Sequence, residues 1–268
     1  MTLFEVIVIS IVEGITEFLP ISSTGHMALV SAVFGIEKDS FTKLFIENIQ
    51  FGAILSVLLI YWRKFLDFKK FKFYLKLVVA FIPAAIIGVL LKKHIDEVLG
   101  NPLFIAIVMF LGGILLIFVD NWFKNPAIGE EEQITYKKSL IIGIFQILAI
   151  VFPGFSRSAA TIIGGMQQKL TRKLAAEFSF YLAVPTLAGA FAKSLWDTYK
   201  DNPALLTHHN IWLLSLGNFI AFVVAIIAIK AFIAFLIKYG FKPFGYYRIV
   251  VGLAILLLTI FGGKLAIL

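Results

Sequence analysis

Long apolar runs separated by short charged stretches make up most of the chain. A hydrocarbon core about 30 Å thick requires roughly 20 apolar residues for one helical crossing. Six runs approach this length, and each predicts one crossing: residues 44–62, 77–91, 103–119, 174–195, 211–236 and 249–267. The pattern predicts an all-α integral membrane protein with one polytopic membrane domain, residues 1–268.

Two further apolar segments, residues 3–35 and 139–166, carry a proline and a polar cluster in the middle. Pro20 and Pro153 each interrupt a helix, and the unpaired backbone groups of an interrupted helix cannot face lipid. We therefore predict that each segment consists of two half-helices meeting at a buried or water-lined loop, and that each is re-entrant.

The two interrupted segments resemble each other. A shift of 133 residues aligns three pairs: Glu13 with Gln146, Pro20 with Pro153 and Ser23 with Ser156. This pattern predicts two repeat halves, about 1–133 and 134–268. If each half has one re-entrant segment and three crossings, the odd number of crossings turns the second half upside down. The prediction is an inverted-topology repeat, as in many transporters.

The composition supports a membrane location, because 60% of the residues are hydrophobic and 15% are charged, whereas soluble proteins have about 25% charged residues. The net charge of +8 does not indicate a nucleic-acid partner, since the basic residues lie in short loops that anchor the chain at the membrane surface.

The distribution of Lys and Arg predicts the orientation of the chain. They concentrate in residues 63–76, 124–138, 169–173 and 238–248, the last group including Arg248. The opposite side has only Lys38, Lys43, Lys92, Lys93, Lys200 and Lys264. The richer side is predicted to be cytoplasmic. The first interrupted segment then enters from the outer face, the second enters from the inner face, and both termini lie outside.

Two carboxylates at helical spacing, Glu13 and Glu17, are the first candidates for chemistry. Residues four apart share one face of a helix, and ionisable groups inside a membrane are functional by default. Paired carboxylates suit a divalent cation, Mg²⁺ or Ca²⁺, which would in turn bind phosphate oxygens. The alternative is that either glutamate is a hydrogen-bonded or snorkelling packing residue.

The stretch after Pro20 offers the hydroxyls of Ser22, Ser23 and Thr24 and the imidazole of His26. The spacing of Ser23 and His26 can place a base beside a nucleophile. Hydroxyls at a helix start are also common caps, so a capping role is the alternative for Ser22 and Thr24.

The second polar cluster contains Arg157 inside an apolar run, and a guanidinium at that depth requires an anion. Arg binds phosphate through two parallel hydrogen bonds, and a Gly/Ser turn at a helix start adds backbone donors. Its neighbours Gly154, Ser156, Ser158 and Thr161 are candidate substrate contacts. The alternative for the guanidinium is a structural salt bridge to one of the two glutamates of the first segment.

These residues carry a resemblance to a known family. The stretch EGITEFLPISSTGHM, from Glu13 to Met27, resembles the signature of the bacterial undecaprenyl-diphosphatases of the bacitracin-resistance type. The stretch PGFSRSAAT, from Pro153 to Thr161, resembles the second family motif, Pro-Gly-x-Ser-Arg-Ser-Gly-x-Thr, except that Ala159 replaces the usual Gly. The resemblance extends over essentially the whole chain.

The resemblance implies hydrolysis of undecaprenyl diphosphate to undecaprenyl phosphate and inorganic phosphate, which recycles the carrier lipid of cell-wall synthesis and confers bacitracin resistance. It also implies an interdigitated inverted repeat, a divalent metal and a location in the bacterial plasma membrane, with the active site on the outer face. The partners are then a polyprenyl diphosphate and membrane lipids, with a homodimer left open.

In this interpretation Arg157 and the loop N–H groups hold the diphosphate, Glu13 and Glu17 hold the metal, and an apolar groove holds the polyprenyl tail. The nucleophile is Ser23, water or His26, which would otherwise be the general base. The rival hypothesis is a lipid flippase or another alternating-access transporter, because inverted repeats with broken helices are usual in such carriers.

Overall fold

The structure is a computed structural model that describes residues 1–261, with the backbone alone for residues 92–94, 96 and 261. Short turns join the helices, and two of these turns have 3₁₀ geometry. The part of the chain that the structure describes forms twelve α-helices: α1 Leu3–Thr16, α2 Ser23–Phe34, α3 Ser40–Ile60, α4 Trp62–Phe65, α5 Phe71–Leu90, α6 Lys92–Leu99, α7 Pro102–Trp122, α8 Tyr136–Val151, α9 Arg157–Gln167, α10 Arg172–Asp201, α11 His208–Tyr239 and α12 Lys242–Phe261.

Six of these helices, α3, α5, α7, α10, α11 and α12, are long and apolar enough to cross a membrane. The predicted all-α membrane protein and its six crossings are confirmed. Helix α12 begins at Lys242, seven residues before the predicted start, because the apolar pattern stops at Arg248 while the helix continues through it. Residues 262–267 of that predicted crossing lie outside the described residues.

Both polar segments are interrupted as predicted. Helix α1 ends at Thr16 and α2 begins at Ser23, while α8 ends at Val151 and α9 begins at Arg157. Proline within each gap disfavours continuation of the first helix, since it lacks the N–H that the helical ladder needs. The depth to which these segments enter the membrane stays a prediction.

The helices pack in pairs that exchange partners between the predicted repeat halves. Helix α1 of the first half packs on α11 of the second, and α8 of the second half packs on α5 of the first. Contacts between the halves also join α3 with α10 and α7 with α12. Each half thus inserts its first interrupted helix against a crossing of the other half, as an interdigitated repeat requires. The opposite orientation of the two halves stays a prediction.

The structure corrects the register of the repeat in the loops. The shift of 133 residues aligned Ser23 with Ser156, but the residue that caps α2 as Ser156 caps α9 is Ser22. The second segment has two residues rather than one between its proline and its capping serine. Ser23 and Arg157 therefore occupy equivalent positions, the first residues of their helices.

The structure also corrects part of the predicted charge distribution. Arg248, counted among the cytoplasmic anchors, is fully buried and donates to backbone carbonyls. Lys76 is also buried, where it bonds to the Glu131 carboxylate at 2.8 Å. Neither side chain is a solvated anchor, and Lys264 lies outside the described residues. Without these three residues, the side predicted to be cytoplasmic still has more Lys and Arg than the opposite side.

We predict that Gly143→Ala destabilises the fold, because an added Cβ would lie 2.1 Å from the carbonyl oxygen of Ala80 on α5. Overpacking of this kind costs about 1–3 kcal/mol. The matched control is Gly88→Ala on α5, where a Cβ meets nothing within 4 Å. Thermal unfolding in detergent should show a lower midpoint for Gly143→Ala alone, and equal midpoints for the two variants would contradict the close packing of α8 on α5.

Candidate active site

The same capping device begins both helices that follow the loops. The side chain of Ser22 accepts a hydrogen bond from the Gly25 N–H, and that of Ser156 accepts one from the Ala159 N–H, each at 3.3 Å. Ser22 has φ 70° and Ser156 has φ 77°, a region that residues with a side chain rarely adopt. Such strain concentrates at functional sites. The capping alternative is thus correct for Ser22.

The two loops meet at the carboxylate of Glu17, which is 6% exposed. One carboxylate oxygen accepts a hydrogen bond from the Ser23 hydroxyl at 2.6 Å, and the other accepts one from Arg157 Nη2 at 3.2 Å. The guanidinium also donates to the carbonyl of Ser179 at 3.2 Å. The salt bridge joins the first interrupted segment to the second, and it is the contact with one of the two glutamates that the sequence left open as an alternative for Arg157.

A small cavity of about 110 Å³ lies against this salt bridge. It brings together seven of the predicted site residues: Glu17, Ser22, Ser23, Thr24, Gly154, Ser156 and Arg157. Its other lining residues are Gln50, Ala149 and Leu187. Residues about 130 positions apart in the chain thus line one space.

The ends of the two helices make this cavity suitable for an anion. Helices α2 and α9 both begin at its wall, and the first N–H groups of a helix have no acceptor within that helix. The helix dipole adds positive potential at each N-terminus. The Nε of Arg157 is buried without a partner among the described residues. A phosphate group would satisfy donors that the protein leaves unsatisfied.

Glu13 lines a second, larger cavity of about 520 Å³. The side chain is fully buried, and neither carboxylate oxygen has a hydrogen-bond partner among the described residues. A buried carboxylate without a partner is costly, so this group requires a cation or a proton. Thr24 and Gln50 line both cavities, so the larger space adjoins the smaller one.

Three predicted site residues line neither cavity: His26, Ser158 and Thr161. The imidazole of His26 bonds through Nδ1 to the Ser22 carbonyl at 2.7 Å and through Nε2 to the Tyr247 hydroxyl at 2.8 Å. Thr161 is fully buried and bonds to the hydroxyl of Ser179 at 2.6 Å. Their direct roles in chemistry stay predictions.

Three residues that contact the site received no role in it from the sequence: Ser179, Tyr247 and Arg248. For a fourth, Gln50, the sequence left two alternatives open. Gln50 lies in an apolar run, where a polar residue can either line a cavity or pair helices, and it lines both cavities. Arg248 donates to the carbonyl of Gly154, one of the lining residues. The depth of Gln50 and Ser179 inside apolar runs could have marked them, whereas Tyr247 and Arg248 lie before the predicted run 249–267 and carry no such signal.

The comparison with known proteins identifies the family. A family model described as Bacitracin resistance protein BacA matches residues 6–254. The chain belongs to this family. The predicted resemblance is confirmed, and both BacA motifs, Glu13 to Met27 and Pro153 to Thr161, lie within the matched residues.

Members of the BacA family from several bacteria resemble the whole chain. An undecaprenyl-diphosphatase of Flavobacterium psychrophilum is 53% identical over 97% of each chain. The undecaprenyl-diphosphatase of Flavobacterium johnsoniae is 52% identical, again over 97% of each chain. That of Porphyromonas gingivalis strain W83 is 48% identical over the full length of both.

We predict that Glu17 and Arg157 are strongly coupled in stability. Replacing either one alone by Gln should cost about 3–5 kcal/mol, because it leaves the other charge buried and unpaired. Replacing both should cost less than the sum of the single changes. Unfolding of the four proteins in detergent, without substrate, measures the coupling, and additive effects would show that the two charges do not depend on each other.

Proposed function

We propose that this protein hydrolyses undecaprenyl diphosphate to undecaprenyl phosphate and inorganic phosphate. One observation carries the proposal: Arg157 and the N-termini of α2 and α9 converge on one cavity beside Glu17. This arrangement suits a terminal phosphate better than any neutral ligand. The BacA relatives named undecaprenyl-diphosphatase support the choice of substrate.

Binding of the diphosphate is assigned to Arg157 and to the first N–H groups of α2 and α9. When substrate enters, the guanidinium exchanges part of its contact with Glu17 for two phosphate oxygens. This exchange needs little movement, because the Nε of Arg157 has no partner among the described residues. Phosphoryl transfer depends mainly on positioning and on charge neutralisation, which these donors supply.

The geometry favours Glu17 as the general base. Its carboxylate already accepts a hydrogen bond from the Ser23 hydroxyl at 2.6 Å, a distance at which proton transfer can occur. The attacking oxygen is that of Ser23 or of a water at the same place; attack by Ser23 would give a phosphoserine, which a water then hydrolyses to release inorganic phosphate. A water gives its proton to Glu17 as its oxygen bonds to the terminal phosphorus, while the bond to the bridging oxygen breaks and undecaprenyl phosphate leaves.

His26 is less favourably placed as the attacking group or base. The Ser22 carbonyl can only accept, so Nδ1 of His26 carries a proton. In the neutral ring Nε2 then accepts from the Tyr247 hydroxyl. Both ring nitrogens thus have partners, and neither of these partners is Glu17 or Arg157.

A divalent cation, Mg²⁺ or Ca²⁺, fits the two carboxylates of α1. Both oxygens of Glu13 are buried without a partner among the described residues, and oxygen ligands are what these cations prefer. No cluster of three or more His, Cys, Asp or Glu that could hold a metal occurs in the part of the chain that the structure describes, so Glu13 and Glu17 would share the ion with water and substrate oxygens. A bound cation would neutralise part of the diphosphate charge.

The polyprenyl tail has a suitable groove beside the first loop. A space of about 410 Å³ between α1, α11 and the start of α12 is almost entirely apolar. It begins at Leu19, whose carbonyl lies 3.5 Å from the hydroxyl of Ser156. The groove is lined by Ile15, Leu19, Val224, Ile227, Ala228, Ala231, Phe232, Phe235 and Phe244.

We further propose that the protein lies in the bacterial plasma membrane with its site open to the outer face. The larger cavity is lined by Glu37 and Lys38, between α2 and α3, by Leu99 at the end of α6, and by Gly100, between α6 and α7. The distribution of basic residues assigns both connections to the outer side.

Arg157→Lys should reduce phosphate release from undecaprenyl diphosphate by about 100-fold or more, because Lys lacks the planar fork that holds two phosphate oxygens. The measurement is phosphate release by purified protein in detergent. The control is Arg172→Lys, which changes a half-exposed pair with Asp120 away from the cavity. Near-normal turnover by Arg157→Lys would remove this residue from the proposed site.

Glu13→Gln should raise the Mg²⁺ concentration that half-maximal phosphate release requires, by about 10- to 100-fold, because one charged ligand is lost. Glu47→Gln is the matched control, since Glu47 lines the same cavity but bonds to the Ser194 hydroxyl. Equal metal dependence of Glu13→Gln and wild type would count against cation binding by this carboxylate.

The rival hypothesis, a transporter, is tested by the same assay. Hydrolysis proceeds in detergent, whereas transport requires two compartments. A wild-type protein that releases no phosphate with any divalent cation would favour the carrier.

A further inference from the structure

Arg248 is the largest fully buried side chain of the described residues. Its guanidinium donates to five backbone carbonyls, which matches the number of N–H groups that arginine carries. The acceptors and their distances are Met109 at 3.3 Å, Pro20 at 3.3 Å, Phe155 at 2.6 Å, Gly154 at 2.9 Å and Val108 at 3.5 Å. Among the described side chains, no carboxylate forms an ion pair with it.

The five carbonyls come from three separate parts of the chain. Pro20 belongs to the first loop, Gly154 and Phe155 belong to the second loop, and the remaining two acceptors lie on α7. One side chain of α12 thus ties both loops to each other and to a membrane helix. A carboxylate partner would neutralise the charge of this guanidinium. Backbone carbonyls do not neutralise it, but their hydrogen bonds fix the orientation of both the guanidinium and the peptide groups that it contacts.

This contact fixes the direction of the peptide group that begins the capped helix. In a trans peptide the C=O of one residue and the N–H of the next point in opposite directions. The Phe155 carbonyl points at Arg248, so the N–H of Ser156 points away from it. Ser156 lines the cavity beside Glu17. Arg248 therefore acts on the same loop whose N–H groups the proposed phosphate site uses.

Two glycines on α7 leave room for the Arg248 side chain. Gly112 on α7 lies so close that an added Cβ would be 2.3 Å from Nη2 of Arg248. A Cβ on Gly113 would be 2.9 Å from the Cβ of Arg248. Two glycines in succession leave the space through which the guanidinium reaches the loops.

We propose that Arg248 is a positioning residue for the reaction: it holds the two loops at the separation and orientation in which their N–H groups and Arg157 face one phosphate group. This inference rests on the proposed function. It predicts that a displaced Arg248 impairs the chemical step rather than the capture of the lipid, because donors aimed at the transferring phosphate act mainly in the transition state.

The experiment measures kcat and KM for phosphate release from undecaprenyl diphosphate, expressed per folded protein, in Arg248→Lys and Gly112→Ala. Lysine has three donors and no planar fork, so it cannot hold all five carbonyls. Gly112→Ala keeps the charge but displaces the guanidinium. We expect kcat to fall by about 10- to 100-fold in both variants, with KM within about threefold of wild type.

Two controls separate positioning from a general loss of structure. Gly88→Ala makes the same chemical change at a helical glycine with nothing within 4 Å, and Arg172→Lys makes the same exchange at a half-exposed pair. Both should keep wild-type kcat. Thermal midpoints and the folded fraction, measured on the same preparations, show whether the folded protein itself has a lower kcat or whether less of the protein is folded. If Arg248→Lys does not fold, Gly112→Ala decides.

Wild-type kcat in a folded Arg248→Lys or Gly112→Ala protein would overturn the positioning role. So would a loss accounted for entirely by a smaller folded fraction. A wild type that releases no phosphate would instead overturn the proposed function, so the two failures are distinguishable.

Discussion

The structure depends on one buried carboxylate. Glu17 lies at the end of α1, and it bonds to the first residue of α2 and to the first residue of α9, which are equivalent positions in the two repeat halves. One half contributes a hydroxyl there and the other a guanidinium. A buried ion pair is worth little when compared with apolar packing, but it is expensive to break. This asymmetry makes Glu17 costly to replace, and its two bonds join segments that are far apart in the chain.

Away from this point the chain follows the ordinary rules of a membrane protein. Apolar helices face lipid, small residues allow close packing, and buried hydroxyls bond to carbonyls one turn back, as Ser31 and Thr259 do. Several exceptions lie at the two cavities: two serines at positive φ, a glutamate with no partner among the described residues, and an arginine Nε in the same condition. Broken local rules of this kind are expected where a protein holds a ligand.

The sequence was sufficient for the number of crossings and for both interruptions, because length, hydropathy and proline are local properties. It also identified most of the residues that line the small cavity, since a polar cluster inside an apolar run is too costly to persist unless it serves a site. Arg248 was misassigned for a physical reason: it follows Lys238 and Lys242, so its local pattern is that of a surface anchor, and only the backbone carbonyls of distant segments bury it. The predicted alignment of the two loops was wrong by one residue because the number of residues between the proline and the capping serine differs between the two segments. Hydrophobic periodicity carries no information on the length of a loop.

The exchange of partners between the halves bears on how such a chain is assembled. Helix α1 carries Glu13 and Glu17, yet it packs on α11, which is synthesised about two hundred residues later. During insertion the translocation machinery or the surrounding lipid has to accommodate α1 and its carboxylates until that helix arrives. The apolar groove and the loop contacts that need α11 and α12 therefore form only at the end of biogenesis, so a truncated or stalled chain would leave α1 and its carboxylates without the helix that covers them.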